Sequence, residues 1–342
     1  MNTANSATDL YSSYPKVELH RHLEGALRIG TMLEIAQAHS IAVPSSLSEL
    51  VQVQDNDPLT FQNFLAKFNT LRLFYRSPDV IDRITREAVE DAALDNIRYL
   101  ELRFTPVALS RAERFPLHDV MKWVAASAGE AARKNNIRVG LIVSVNRHES
   151  PELAEQVAWL AAEHIQDGVV GVDLAGNEVE FSAQPFIGII KEAQQAGLHV
   201  TIHAGEWAGA QNVREAIEDF GAERIGHGVR VMEDDYTVAL AKERGTAFEV
   251  CVTSNYQTGV LPPGEKHPLQ SMLDAGLNAT INTDDPSVSR ITLSHEYCVV
   301  HSDLGISEAA LKNCILNAAQ ASFLPEKDKK QLVRSVKKEL KN

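Results

Sequence analysis

The chain has 342 residues, 44% of them hydrophobic, enough for a substantial core and compatible with one α/β barrel, a fold of about 250 residues or more. Its formal net charge is −13 and no basic block precedes the final helix, which disfavours a partner held mainly through phosphates. A small, neutral substrate suits this composition better.

In chain order, the run MNTANSATDLYSSYP is polar and lacks the apolar stretch of a signal peptide, so residues 1–14 are expected to form a flexible arm. From residue 15 to 342, short apolar runs alternate with longer helical patterns, the signature of a parallel α/β protein. Eight candidate strands follow: 17–22, 98–104, 138–145, 169–175, 199–204, 224–227, 247–252 and 278–283. This count predicts a (β/α)8 barrel in a single domain, with additional helices. Ile29, Met32, Leu33 and Ala36 share one helical face, and Ser77-Pro78-Asp79 reads as the start of a helix that carries Ile81, Ile84 and Ala88 inward. Residues 41–76 exceed the strand–helix rhythm, and residues 306–342 add further helix, ending in a charged, solvated face. No apolar run approaches the ~18 residues that a bilayer requires. Cys251, Cys298 and Cys314 are odd in number and lack a CxxC spacing, so a reduced, cytoplasmic setting is expected.

Four polar clusters stand at the C-terminal ends of candidate strands, where the functional groups of α/β barrels gather. They are His20-Arg21-His22, His203-Ala204-Gly205-Glu206, His227 within IGHG, and Asp284-Asp285. Residues two apart on a strand face the same side, so His20 and His22 can address one ion. Any one cluster has an ordinary structural explanation, but four on four strand ends point to a metal-centred site. Three imidazoles and one carboxylate suit zinc rather than the oxygen-seeking calcium or magnesium. With His20, His22, His203 and Asp284 as ligands, Glu206, His227 and Asp285 remain for chemistry: a His can orient or deprotonate water and a Glu can shuttle protons.

The run KVELHRHLEG, followed in order by HAGE, IGHG, TSNYQTG and NTDDP, resembles the adenosine deaminase family of the amidohydrolase barrels, over roughly residues 15–323. That resemblance implies one Zn2+ per chain on His20, His22, His203 and Asp284, and hydrolytic deamination of adenosine and 2′-deoxyadenosine. It implies that Glu206 protonates purine N1, and that His227 positions and helps deprotonate the attacking water, then stabilises developing charge. Asp285 would bond purine N7, and the backbone N–H of Gly176 purine N3. Glu24 stands where the family usually has Asp to meet the ribose 5′-hydroxyl, and Thr105 where a Ser can assist. Ser254 would support the metal shell, unless it is a turn hydroxyl bonded to local backbone. Phe61, Phe64, Leu65, Phe68 and Leu71 resemble the family's lid over the purine, and their helical spacing equally suits core packing, since a lid must bury its inner face to exclude water. Adenine, 6-aminodeoxyfutalosine and N6-methyl-AMP remain open as alternative substrates. Rival readings are a binuclear amidohydrolase, which would carry a bridging Lys or Glu where the fourth strand has Asp173, and a barrel that binds without catalysis.

Overall fold

The computed structural model describes residues 11–262 and 264–341. Eight parallel strands pair in sequential order: β1 (Lys16–His22), β2 (Ile97–Phe104), β3 (Arg138–Asn146), β4 (Val169–Ala175), β5 (His199–Ala204), β6 (Arg224–His227), β7 (Ala247–Val250) and β8 (Asn278–Ile281). With helices between them, this is the (β/α)8 barrel that the alternation of patterns predicts. The last seam closes by isolated contacts rather than a ladder. The His22 N–H donates to the Asp284 carbonyl (2.8 Å), and the Asp284 N–H to the His20 carbonyl (3.0 Å). The chain therefore ties its first and last polar clusters together through backbone.

β7 and β8 stop two residues short of their expected ends. Val252–Gln257 turns directly into a helix, and Asp284 adopts a left-handed φ of 64°, which ends extended backbone. Ser77 caps its helix as expected, accepting from the Val80 N–H at 3.2 Å, and Ile81, Ile84 and Ala88 are buried. In Ile29–Ala38 the buried face is Met32, Ile35 and Ala36, while Leu33 is 47% exposed. One residue advances a helix by about 100°, so Leu33 lies beyond the stripe that Met32 begins.

Residues 41–76 include the helices Leu47–Val51 and Phe61–Leu71 and a 3₁₀ turn, Arg72–Phe74. Of the expected arm, residues 1–10 lie outside the described residues. Its last part is seated: Tyr11 and Tyr14 are buried, and the Tyr14 hydroxyl donates to Glu308 at 2.6 Å. The charged C-terminal helix Glu326–Glu339 buries Leu332 and Val336. Among the described residues no helix is long and apolar enough to cross a membrane, and the three cysteines are unpaired.

Candidate active site

The barrel brings the four expected ligands to one point. His20, His22, His203 and Asp284 each offer an atom, and these atoms lie within 4.8 Å of one another. His20 Nε2 and His22 Nε2 approach Asp284 Oδ1 at 3.2 and 3.3 Å. His20 Nε2 is buried without a hydrogen-bond partner. A buried imidazole nitrogen aimed at three other donor atoms is what a cation would satisfy, and three nitrogens with one oxygen suit a tetrahedral first-row ion. His227, Cys251 and Asp284 form a second convergent group, but burial pushes the Cys251 thiol well above its ordinary pKa and disfavours it as a thiolate ligand.

Partners behind the imidazoles fix their orientation. His20 Nδ1 lies 2.8 Å from Glu249 Oε2, and His203 Nδ1 lies 2.9 Å from Asp173 Oδ1. Donating Nδ1–H to a carboxylate leaves Nε2 with its lone pair free for an ion. Asp173 is thus engaged on His203 and also pairs with Arg103 at 3.2 Å. The fully buried Arg103 holds Glu249 as well, at 2.6 Å. Burial opposes ionisation of both carboxylates, yet the neighbouring cations hold both below the usual range: His203 and Arg103 beside Asp173, Arg103 and Arg224 beside Glu249. Ser254 Oγ donates to Asp284 Oδ2 at 2.7 Å, so its hydroxyl meets the ligand carboxylate.

His227 and Asp284 both take left-handed φ values, 61° and 64°. Such backbone costs of order 1–3 kcal/mol for a non-glycine residue and persists where surrounding structure enforces it. Here it turns both side chains into the site. Gly25 is required by crowding: a Cβ there would collide with the Asp285 carboxylate.

Beside the ligands, Glu206 is buried, with Oε2 3.7 Å from His227 Nε2. Burial raises its pKa well above the ordinary value, and the charges of Asp284, Glu178 and Asp285 raise it further. Both effects favour the protonated carboxyl. Burial, Asp284 and Glu24 push Asp285 up in the same way. Burial lowers His227 well below its ordinary pKa, against the opposing charge of Asp284. Glu24, Thr105, Gly176, Asp285, Phe61, Phe64, Leu65 and Phe68 line the pocket above these groups, together with Arg72 and Trp207. Leu71, the last residue of the lid stripe, does not line the pocket and is packed in the core, the other place its spacing allows. Phe61 meets Trp207 at a ring separation of 4.1 Å, closing the lid helix onto the turn after Glu206.

A model of the adenosine deaminase family matches residues 15–339. Adenosine deaminase of Klebsiella pneumoniae is 35% identical over 332 residues, covering 96% of this chain and 99% of that one. The chain belongs to the adenosine deaminase family. Among solved structures, a zinc-bound amidohydrolase from Burkholderia ambifaria superposes with a TM-score of 0.90 at 26% identity, covering 100% of this chain and 94% of that one. An Arabidopsis N6-mAMP deaminase superposes with a TM-score of 0.86 at 30% identity, covering 96% and 99%. Like its relatives, this adenosine deaminase family member is a metal-dependent hydrolase.

Several functional partners escape the sequence motifs. Glu178 accepts the backbone N–H groups of Gly205, Glu206, Trp207 and Ala208 at 2.7–3.0 Å, pinning the turn that presents Glu206. GNE after the fourth strand carried no spacing signal for this. Arg72 ends the lid's helical stripe of Phe61, Phe64, Leu65 and Phe68. Among the described residues its side chain makes no ion pair or hydrogen bond. Asn255, inside TSNYQTG, bonds His227 Nδ1 at 3.2 Å.

Proposed function

We propose that residues 15–342 act as one catalytic unit that hydrolytically deaminates adenosine and 2′-deoxyadenosine with one Zn2+ per chain. The observation that carries this reading is the convergence of His20, His22, His203 and Asp284 beside a buried Glu206 whose pKa is raised by burial and neighbouring carboxylates. The metal would acidify and polarise a water molecule and hold it in place. The Glu206 carboxyl donates its proton to purine N1, which makes C6 electrophilic. Water oxygen adds to C6; one of its protons leaves with the amino group as ammonia, and the other restores Glu206. Asp285, kept protonated by its surroundings, donates to N7, and the Gly176 N–H to N3. His227 faces the attacking oxygen. Phe64, Leu65 and Phe68 cover the purine and exclude water. The unpaired cysteines fit a cytoplasmic enzyme.

Glu24 supports a sugar at this site. Its Oε1 accepts the Thr105 N–H at 2.6 Å, while its buried Oε2 has no hydrogen-bond partner among the described residues and can meet a ribose 5′-hydroxyl. Burial raises its pKa to about 7 against the Thr105 hydrogen bond. A hydrogen bond to such a group is worth about 1.5–3 kcal/mol, so 5′-deoxyadenosine should show a kcat/KM roughly 10- to 150-fold below that of adenosine. Equal values would remove the contact, and adenine outrunning both would move the activity to the free base.

A second reading is favoured by Arg72, an unpaired guanidinium in the pocket of a strongly acidic chain. It suits an anionic 5′ substituent, as in N6-methyl-AMP. A spectrophotometric screen of 6-aminopurines decides between them. In the first reading adenosine leads and Arg72→Gln changes little; in the second a 5′-phosphate leads and Arg72→Gln abolishes that advantage.

A further inference from the structure

His227 has two ring nitrogens, and which one carries a proton decides what it can do. A chain of hydrogen bonds through the buried segment that follows β7 answers this, beginning at an unambiguous donor. The Leu269 backbone N–H donates to His267 Nδ1 at 3.1 Å. His267 Nδ1 is therefore an acceptor, and its proton sits on Nε2. Burial lowers the His267 pKa to about 3, so the ring is neutral and carries one proton. His267 Nε2 lies 3.2 Å from Asn255 Oδ1, to which it donates. That bond fixes the amide orientation, because a flipped Asn255 would place its NH2 against the His267 Nε2–H. The Asn255 Nδ2–H then points at His227 Nδ1, 3.2 Å away, and must donate to it. A ring nitrogen that accepts a hydrogen bond carries no proton, so the proton of His227 resides on Nε2, the nitrogen that faces Glu206 and Asp284 at 3.7 and 4.0 Å.

We infer that His267 and Asn255 are positioning residues that lock His227 in its Nε2–H tautomer, so that His227 serves as a fixed hydrogen-bond donor to the attacking oxygen and not as the base that deprotonates it. This rests on the active-site reading above and refines one role in it. An Nε2 that already bears a proton has no lone pair to accept another. His227 therefore neither gains nor loses a proton in the cycle, and the water's protons go to Glu206 and the leaving ammonia. As a preorganised donor, His227 adds no proton-transfer step and needs no reorganisation when charge develops on oxygen.

The test is nitrogen NMR of metal-loaded, full-length protein with 15N-labelled histidine, assigned with His227→Gln and His267→Gln. His227 and His267 are both expected as neutral Nε2–H tautomers at pH 7. A His227 signal showing the Nδ1–H tautomer or imidazolium overturns the inference. Asn255→Asp supplies the functional arm. Its carboxylate accepts from His227 Nδ1–H, inverting the tautomer, and kcat on adenosine should fall ~10²- to 10³-fold, the cost of one lost donor. KM and bound metal should not change. An inverted tautomer with normal kcat would contradict the donor role. If Asn255→Asp does not fold, the His267 pair replaces it. His267→Gln keeps an N–H toward Asn255 and should retain the His227 tautomer and most of kcat, whereas His267→Phe should lose both. Identical behaviour of these two would sink the lock. A protein that shows the Nε2–H tautomer but does not deaminate adenosine would fail the proposed function while leaving the tautomer lock standing.

Discussion

Glu206→Gln is expected to lower kcat by ~10²- to 10⁴-fold while the metal stays bound, because the amide keeps the shape of the side chain and removes its transferable proton. The backbone around it should hold, since Glu178 grips the four N–H groups of the turn independently of the Glu206 side chain. The sign of the pH dependence follows from the raised pKa. The acid form of Glu206 is the active one, so kcat/KM of the wild type should decline as pH rises through the elevated Glu206 pKa. In the Gln variant that alkaline limb should disappear from the residual activity. Near-normal turnover, or an unchanged alkaline limb, would assign the proton to another group.

The second large effect concerns Asp284. Replacing a partner behind a metal ligand typically costs 10- to 100-fold in affinity or activity, so Asp284→Ala, which removes a ligand itself, should weaken metal binding by more than ~100-fold. Activity should be lost with it. Metal binding to the folded state alone stabilises by about 4 kcal/mol at a thousandfold excess over Kd, so chelation should lower the wild-type Tm. The Asp284→Ala Tm should not respond to chelator. A variant that keeps its metal and a chelator-sensitive Tm would remove Asp284 from the ligand set.

Much of this architecture was legible in the sequence because barrel strands and strand-end motifs are local patterns. The HRH spacing states its own geometry: the rings of His20 and His22 lie 5.2 Å apart, while Arg21 turns aside to pair with Glu18 at 2.6 Å. HAGE, IGHG and NTDDP were found for the same reason, each a polar residue at the end of an apolar run. What stayed hidden is long-range pairing. His20 and Glu249 are 229 residues apart, and Arg103 meets Glu249 across 146. No periodicity in either segment announces the partner, and a charged residue inside an apolar strand reads equally as a bulge or an edge. Arg72 is hidden because it is a charged residue immediately after Leu71, outside the apolar pattern by which the lid is recognised. Spacing alone does not divide that stripe between pocket and core, and the core takes Leu71. The expected ends of β7 and β8 overshoot because Val252 and Thr283 are β-branched and favour strands, while the site requires the chain to turn there.

The most direct test is a titration of exhaustively chelated protein with Zn2+, following conversion of adenosine to inosine with release of ammonia. Activity should be absent without metal, rise linearly, and break sharply at one equivalent per chain. Turnover that survives chelation, a break at two equivalents, or a fully zinc-loaded protein that leaves adenosine intact would contradict the account.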